Sequence, residues 1–504
     1  MNRREFVKTT SLLTLPVILK SCNWLATDIN FDVKVSSDIG TGHLLLKSKD
    51  FPLQRISPVE TLIVGGGISG MSAACKLKNN DFLLCELSDN LGGSSSADSF
   101  NGNFFSQGAH YDYAYPKNYG PEVLSLLEEL NIIEFLPWTE TWSFKDHQHL
   151  IKHRRKNQCY SDGNFRHDVI PNEEQKKQLI NIMEPYIDEM VLPTRLIDPA
   201  YQHFNDISLL DFVTGKMPVD EGFIRGLDYY MKDDYGAGCK QVSALAGIHY
   251  FACRPYYSES VELFSPPEGN HYFIKKMKRF VGEEQLLTSH MISAINKSKN
   301  GFEVQIIDVK QQLIKVVQVK NIIYAGQKHA LKYIYPEAAP LFRENTYAPW
   351  MVVNMVVSDS PLPAVGYWQN EMLTEDESFM GFVDSRSQQP TSNGQRILSA
   401  YYCLTPSLRT DLVNVENNKM KIAEVTIRRI SEYFGVSVAE HVHKVFIKAM
   451  GHAMPIPSPG YLFKDKNNIR TEKNLVFAGV DNSRLPLLFE AIDSGITAVN
   501  LLKG

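Results

Sequence analysis

The run Thr61-Leu62-Ile63-Val64-Gly65-Gly66-Gly67-Ile68-Ser69-Gly70, continued by Met71 to Lys78, decides how this chain folds. The four-residue run Thr61 to Val64 is too short for a helix and long enough for a buried strand, the glycines interrupt the pattern, and the small and apolar residues after them have helical spacing. The predicted order is strand, tight turn, helix. A second apolar run, Phe82 to Cys85, ends in Glu86, twenty-one positions after Gly65. Gly65 permits the sharp turn, Gly67 lacks the Cβ that would block a pyrophosphate, and Gly70 lets the helix pack close to the strand. The helix N-terminal amides face phosphate charge, and Ile68 and Ser69 are counted with the glycines among the cofactor-binding residues. Glu86 stands where a carboxylate accepts hydrogen bonds from the ribose hydroxyls of an adenosine. The unit reads as a dinucleotide site.

Around this unit lie 504 residues, room for two to four domains at roughly 150 residues each. Hydrophobic residues at 43% and charged residues at 22% exclude disorder, collagen-like repeats and a polytopic membrane bundle. A net charge of −5, from 52 basic and 57 acidic residues, sets up no field favouring nucleic acid. The seven cysteines, at 22, 75, 85, 159, 239, 253 and 403, form no C-x-x-C pair, so neither a zinc ribbon nor a thioredoxin-type site is indicated.

Residues 1–27 read as an address. Arg3-Arg4-Glu5-Phe6-Val7-Lys8 precedes an apolar run from Ser11 to Leu19, too short to cross a bilayer that needs about 20 residues. A basic head with a short apolar core is an export signal, and the paired arginines resemble the twin-arginine type, which carries folded, cofactor-loaded proteins. Leu19-Lys20-Ser21-Cys22 resembles a lipoprotein cleavage box, which would leave Cys22 free for acylation, although Lys20 is an awkward neighbour for the cut. The expected location is the periplasm or a membrane anchor facing it. Residues 28–57 carry little pattern and read as an N-terminal extension.

Leu91-Gly92-Gly93-Ser94 follows Glu86 almost at once, and Gly108-Ala109-His110-Tyr111 comes next. With these phrases the chain resembles the FAD-dependent amine oxidase family, whose relatives include polyamine oxidases and phytoene desaturase-type enzymes. The resemblance implies FAD as cofactor, with Gly92, Gly93 and Ser94 near its diphosphate and Gly108, Ala109 and His110 beside the flavin ring. At the far end, the strand Asn474 to Gly479 and the helix Glu490 to Ala498 resemble the family's closing pair, whose helix N-terminus approaches the flavin. That assigns Gly479, Asp481 and Glu490 to the cofactor, although Val480 separates Asp481 from the glycine. The strands predicted at Leu286–Thr288, Ile292–Ile295, Phe302–Val309, Leu313–Val319 and Asn321–Ala325 form a small meander, with a backbone contact to the adenine side implied at Ile292.

The expected architecture is α/β: a discontinuous FAD/NAD(P)-binding Rossmann-like domain at 58–114, 268–335 and 451–504, and a second, α+β substrate domain at 115–267 and 336–450. The resemblance implies removal of a hydride from a small-molecule substrate to flavin N5, then reoxidation by oxygen or a redox partner. The amine branch places a Lys beside the flavin. The corresponding strand, Pro349 to Val356, offers Asn354 instead. An amine or polyamine is the first expectation, an apolar molecule that is desaturated the second, and a flavin-binding protein without catalysis the third.

His110 and His452 are the catalytic candidates, since imidazole titrates in the useful range. His249, in an Ile-His-Tyr-Phe stretch, reads as a core histidine. Tyr229, Tyr230, Tyr250, Phe251, Tyr256, Tyr257, Tyr401 and Tyr402 are aromatic enough to cage a cation or to be core. Asp233 and Asp234 read as a solvated turn, with a polyamine as the other possible partner. No cluster with metal-ligand spacing is present.

Overall fold

The computed structural model describes residues 31–503 except 38, 47–49, 114–115, 152–156, 254–262, 360–361, 364–366 and 389–393. The export segment with Arg3, Arg4 and Cys22, and Tyr256 and Tyr257, lie outside the described residues. Among those described, no helix is long and apolar enough to cross a membrane.

The glycine run sits where the sequence places it. The strand Val59–Val64 ends at Gly65 and the helix Ile68–Leu77 begins three residues later, one turn earlier than the apolar spacing suggested. Phe82–Cys85 pairs parallel to Val59–Val64, and Leu286–Leu287 pairs parallel to Phe82–Cys85. On the other side lies Leu313–Tyr324, a single twelve-residue strand where two had been expected. Its first half closes an antiparallel meander with His290–Ser298 and Gly301–Asp308. Its second half runs parallel to Val59–Val64 on one edge and to Leu475–Phe477 on the other. The carboxyl ends of these five parallel strands therefore open on one side, where α/β sheets bind ligands.

Small residues set the helix packing. A Cβ on Gly70 would stand 1.9 Å from the Gly65 carbonyl oxygen, and one on Gly495 would stand 2.1 Å from Ser69 O. Only glycine lets the helices Ile68–Leu77 and Leu488–Lys503 approach the strand turn and each other this closely.

The second sheet has eight strands in the order Asp32–Ser36, Val442–Pro455, Tyr347–Ser358, Gln395–Cys403, Phe379–Asp384, Gln369–Leu373, Asn157–Ser161, Asn164–Arg166. Tyr347–Ser358 is buried along nearly its whole length, as a central strand with both faces covered must be. Met351, Val353 and Met355 join the core that includes helix Val415–Phe434. The opposite face carries Trp350, Val352, Asn354 and Val356, in register with Cys403, Tyr401, Ser399 and Ile397. Val352, Asn354 and Val356 are also in register with Lys448, Phe446 and Lys444 on the next strand. Trp350, Val352 and Tyr401 belong to the core shared with the helices of the first sheet, so this inner face looks toward the glycine-rich loops.

The stretch read as an extension is built into both sheets. Asp32–Ser36 pairs parallel to Val442–Pro455, and Leu53–Arg55 pairs parallel to the start of Leu313–Tyr324. Neither strand had a visible period because each lies on an edge and is short.

Candidate functional site

Three glycine segments meet at the carboxyl ends of the parallel strands. Gly67 and Gly92 form a parallel bridge, and Gly92 N–H donates to Gly66 O at 2.9 Å. Ala109 N–H donates to Ser94 O at 2.8 Å, and a Cβ on Gly108 would fall 2.1 Å from that same oxygen. Gly65, Gly67, Gly92, Gly93, Ser94, Gly108 and Ala109 are thus contiguous in space.

The crowding is uneven, and that unevenness marks a cradle. Added Cβ atoms at Gly65, Gly66, Gly70 and Gly92 would strike backbone or side chains at 3.0 Å or less, whereas one at Gly67 would meet nothing nearer than Gly92 O at 3.8 Å. Gly93, in the left-handed region at φ +58°, likewise faces only the Gly67 Cα, 3.7 Å away. Packing therefore does not require glycine at 67, but a bound group pressed against the backbone would. The helix behind it starts with Gly67 as N-cap and has no side-chain cap, which leaves the amides of Ile68 and Ser69 available to an anion.

Glu86 closes one end of this cradle. Its carboxylate accepts from Gly66 N–H at 2.6 Å and from Ser88 N–H at 2.8 Å. His290 N–H donates to Glu86 O at 2.8 Å, so the strand carrying Ile292 starts directly against it. The Ile292 side chain is buried in the core under the meander, which leaves only its backbone for a contact with a guest.

At the other end sits His110. Asn270 N–H fixes Ala109 O at 2.9 Å, and the Ser265 hydroxyl donates to His110 O at 2.9 Å. Gly269, at φ +60°, allows this approach, since its Cβ would lie 2.5 Å from Ala109 O. The His110 ring lies 5.0 Å from Tyr111, 5.6 Å from Trp368 and 5.2 Å from Tyr401, and Trp350 stacks on Tyr401 at 6.2 Å. Burial pushes the imidazole down to about 4, a backbone hydrogen bond at Gly108 opposing it, and Nε2 is buried without a hydrogen-bond partner among the described residues. His110 is therefore a neutral ring with an unsatisfied nitrogen inside an aromatic wall.

Behind that wall is a polar layer. Gln369 Nε2 donates to the Tyr401 hydroxyl at 2.7 Å and reaches Asp233 at 3.4 Å. The Tyr111 hydroxyl donates to Asp234 at 3.1 Å, and Tyr229 donates to Met380 O. Asp233 and Asp234 lie in the last turn of the helix Glu221–Tyr235 rather than in a solvated turn, and Asp234 is buried. Buried Glu371 shares the inner sheet face with Gln369. The aromatics do not form one cage. Tyr401 faces His110, while Tyr402 is buried on the opposite face of the sheet and bonds Thr426 of helix Val415–Phe434 at 2.8 Å. Tyr230, Tyr250 and Phe251 form a separate cluster. Fully buried His249 contacts Val191 O at 3.2 Å, as a core histidine should.

Asn354 tethers the second sheet to the first. Its Nδ2 donates to Ser106 O at 3.0 Å and its Oδ1 accepts from Ser399 at 2.5 Å, so its side chain is spent on docking the sheet onto the segment before Gly108. Lys448 is the buried lysine of this face, opposite Val352.

The remaining expected residues are placed differently from the glycines. His452 stands on a bulge of Val442–Pro455 rather than in a loop, stacked on His329 with centroids 3.6 Å apart at 9°. Burial lowers His452 to about 3 and His329 to about 4. Glu490 is wholly buried, accepts from Thr194 N–H at 2.6 Å and lies 3.4 Å from Arg484. Gly479 N–H donates to Ser494 at 2.9 Å, while Asp481 is bound to Lys328 and Tyr347. Gln369, Glu371, Trp368 and Lys328 had no sequence signal, because only the sheet register and strand ends bring them here.

Residues 63–130 match the NAD(P)-binding Rossmann-like domain family. No curated protein matches the chain by sequence. Putrescine oxidase bound to putrescine superposes with a TM-score of 0.63 at 13% identity, over 90% of this chain and 100% of that one. The chain has the amine oxidase fold. Cyclohexylamine oxidase from Brevibacterium oxydans gives 0.61 at 14% identity over 88% of this chain and 98% of its own. A protein assigned as protoporphyrinogen oxidase from an Exiguobacterium species gives 0.62 at 14% identity over 88% and 99%. The discontinuous Rossmann-like unit, the meander and the second sheet are thus the fold that these oxidases share.

Proposed function

We propose that the chain is an exported FAD-dependent oxidoreductase whose substrate is an amine. The observation that carries the cofactor is the open cradle at Gly67 and Gly93, bounded by Glu86 and by the uncapped amides of Ile68 and Ser69. FAD fits these residues: diphosphate against the glycines and helix N-terminus, adenosine ribose at Glu86, ring toward Gly108, Ala109 and His110. When bound, FAD supplies a hydride acceptor that is reoxidised by oxygen or a redox partner.

The chain's own residues orient the substrate and exclude water. Trp350, Trp368, Tyr401 and Tyr111 form a dry wall, and the neutral His110 Nε2 is an acceptor for one substrate N–H or proton. Asp233, Asp234 and Glu371 lie behind the tyrosines and favour a cationic guest over an anionic one. The similar folds of putrescine oxidase and cyclohexylamine oxidase support an amine. Asn354, committed to Ser106 and Ser399, supports the second reading, desaturation of an apolar molecule.

Export by the twin-arginine route, with Cys22 as a lipid anchor, belongs to the same proposal. The test is anaerobic mixing of the purified yellow protein with a panel of amines. Bleaching of the flavin bands by an amine supports the reading, and bleaching only by an apolar substrate replaces it with the second. Arg3→Lys/Arg4→Lys should hold the protein in the cytoplasm.

A further inference from the structure

We propose that Lys328 is a positioning residue of the cofactor crevice, neutralising Asp481 and fixing the turn after the last strand; this rests on the FAD reading above. Lys328 opens the short 3-10 turn Lys328–Ala330 at the end of the loop leaving Leu313–Tyr324, and Asp481 lies on the loop leaving the neighbouring strand Leu475–Phe477. The same loop bounds the glycine turn: a Cβ on Gly65 would stand 3.0 Å from Ala325 C and from Gly326 N. Three loops therefore converge on one crevice, and an ion pair joins two of them.

The Lys328 side chain is completely buried, and its three ammonium protons are matched by Ala478 O at 2.6 Å, Asp481 Oδ1 at 2.9 Å and Gly326 O at 3.0 Å. The carboxylate of Asp481 also accepts from Lys328 N–H at 2.9 Å and from the Tyr347 hydroxyl at 3.0 Å, and Asn345 holds its carbonyl at 2.6 Å. Gly479, at φ +118°, is required beside the pair, because its Cβ would lie 2.9 Å from Asp481 Oδ1 and 3.1 Å from Lys328 Nζ.

Neither charge would be tolerated here alone, since a buried ion without its partner is far costlier than the pair. An unpaired carboxylate would also repel a dianionic diphosphate and disfavour an electron-rich reduced flavin. With Lys328 in place, Asp481 shapes the crevice without charging it. The sequence reading of Asp481 as a direct holder of the cofactor becomes a reading of Asp481 as one half of a clamp.

The test is a charge cycle on the full chain: Lys328→Met, Asp481→Asn and the double variant, each reconstituted with FAD, with the FAD dissociation constant and the flavin midpoint potential measured. Lys328→Met should weaken FAD by about tenfold and lower the potential. Asp481→Asn should raise the potential and hold FAD no less tightly, and the double variant should return toward wild type in both. A disturbance of structure alone would move both single variants the same way, and that result, or no shift in either, overturns the proposal. If circular dichroism shows that Lys328→Met does not fold, Asp481→Asn decides: a raised potential supports the clamp, and a lowered or unchanged one overturns it. Wild-type protein that takes up no FAD removes the cofactor reading and this proposal with it, whereas wild-type uptake with unaltered variants removes this proposal alone.

Discussion

The Gly66 N–H donates to Glu86 Oε2 across 2.6 Å, joining the glycine turn to the end of the second strand. Because the other carboxylate oxygen takes Ser88 N–H, Glu86 holds the loop in shape beside the ribose contact proposed for it. Glu86→Ala should therefore weaken FAD binding by about 1.5–3 kcal/mol, the range of hydrogen bonds to a charged group. Equilibrium dialysis at low free FAD measures it, and wild-type occupancy would remove Glu86 from the site.

Gly67 and Gly70 separate cofactor binding from folding. Alanine at Gly70 drives a Cβ to 1.9 Å from Gly65 O, so Gly70→Ala should cost about 1–3 kcal/mol or more in denaturant unfolding of the apoprotein. Alanine at Gly67 meets nothing within 3.8 Å and leaves φ at an ordinary −73°. Gly67→Ala should keep apoprotein stability within about 0.5 kcal/mol and lose FAD. Equal FAD affinity in Gly67→Ala and wild type would contradict a diphosphate at that backbone.

How legible the site was follows from how local each signal is. The glycines, Glu86 and the helix start are consecutive in sequence, and their chemistry is their spacing. The inner sheet face is not local: Lys448, Val352, Tyr401 and Glu371 come from four strands and share a face only through register. Edge strand Asp32–Ser36 gave no period because five residues, the last two of them half-buried, are too few to carry one. Glu490 was assigned to the cofactor from its place beside a helix start, yet the helix buries it against Thr194 and Arg484.

That buried network makes its own prediction. Asp493 binds Arg484 at 2.6 Å and Arg195 at 2.9 Å, and Arg484 also reaches Glu490. Asp493→Ala leaves Arg484 buried without its principal partner and should destabilise the protein by about 3–5 kcal/mol. Glu490→Gln should lower stability while leaving the FAD dissociation constant of the folded protein unchanged. A large loss of affinity in Glu490→Gln at intact stability would return that residue to the cofactor.

Three half-buried histidines contribute to the acid sensitivity. His110, His329 and His452 are lowered by burial from 6.5 to about 4, about 4 and about 3, so the unfolded chain binds protons that the native chain refuses. Their contribution to stability is full above pH 6.5 and is lost as the pH drops through 6.5 toward 4. His452→Gln should make the stability curve shallower in that window by close to one proton, as followed by thermal unfolding at stepped pH. An unchanged slope would mean that the ring is protonated in the native state.

The proposed function puts the substrate contact at His110. Its Nε2 is buried in the aromatic wall without a hydrogen-bond partner among the described residues. His110→Ala should retain FAD and slow anaerobic flavin reduction by about 10²–10⁴-fold, the usual contribution of a positioned acid or base. Equal single-turnover rates would confine His110 to packing.

The central claim is tested most directly by the absorption spectrum and FAD content of the purified full chain, before and after incubation with FAD. The account predicts flavin bands with one FAD per chain, lost in Gly67→Ala. A colourless protein that takes up no FAD, with the fold intact by circular dichroism, would contradict it.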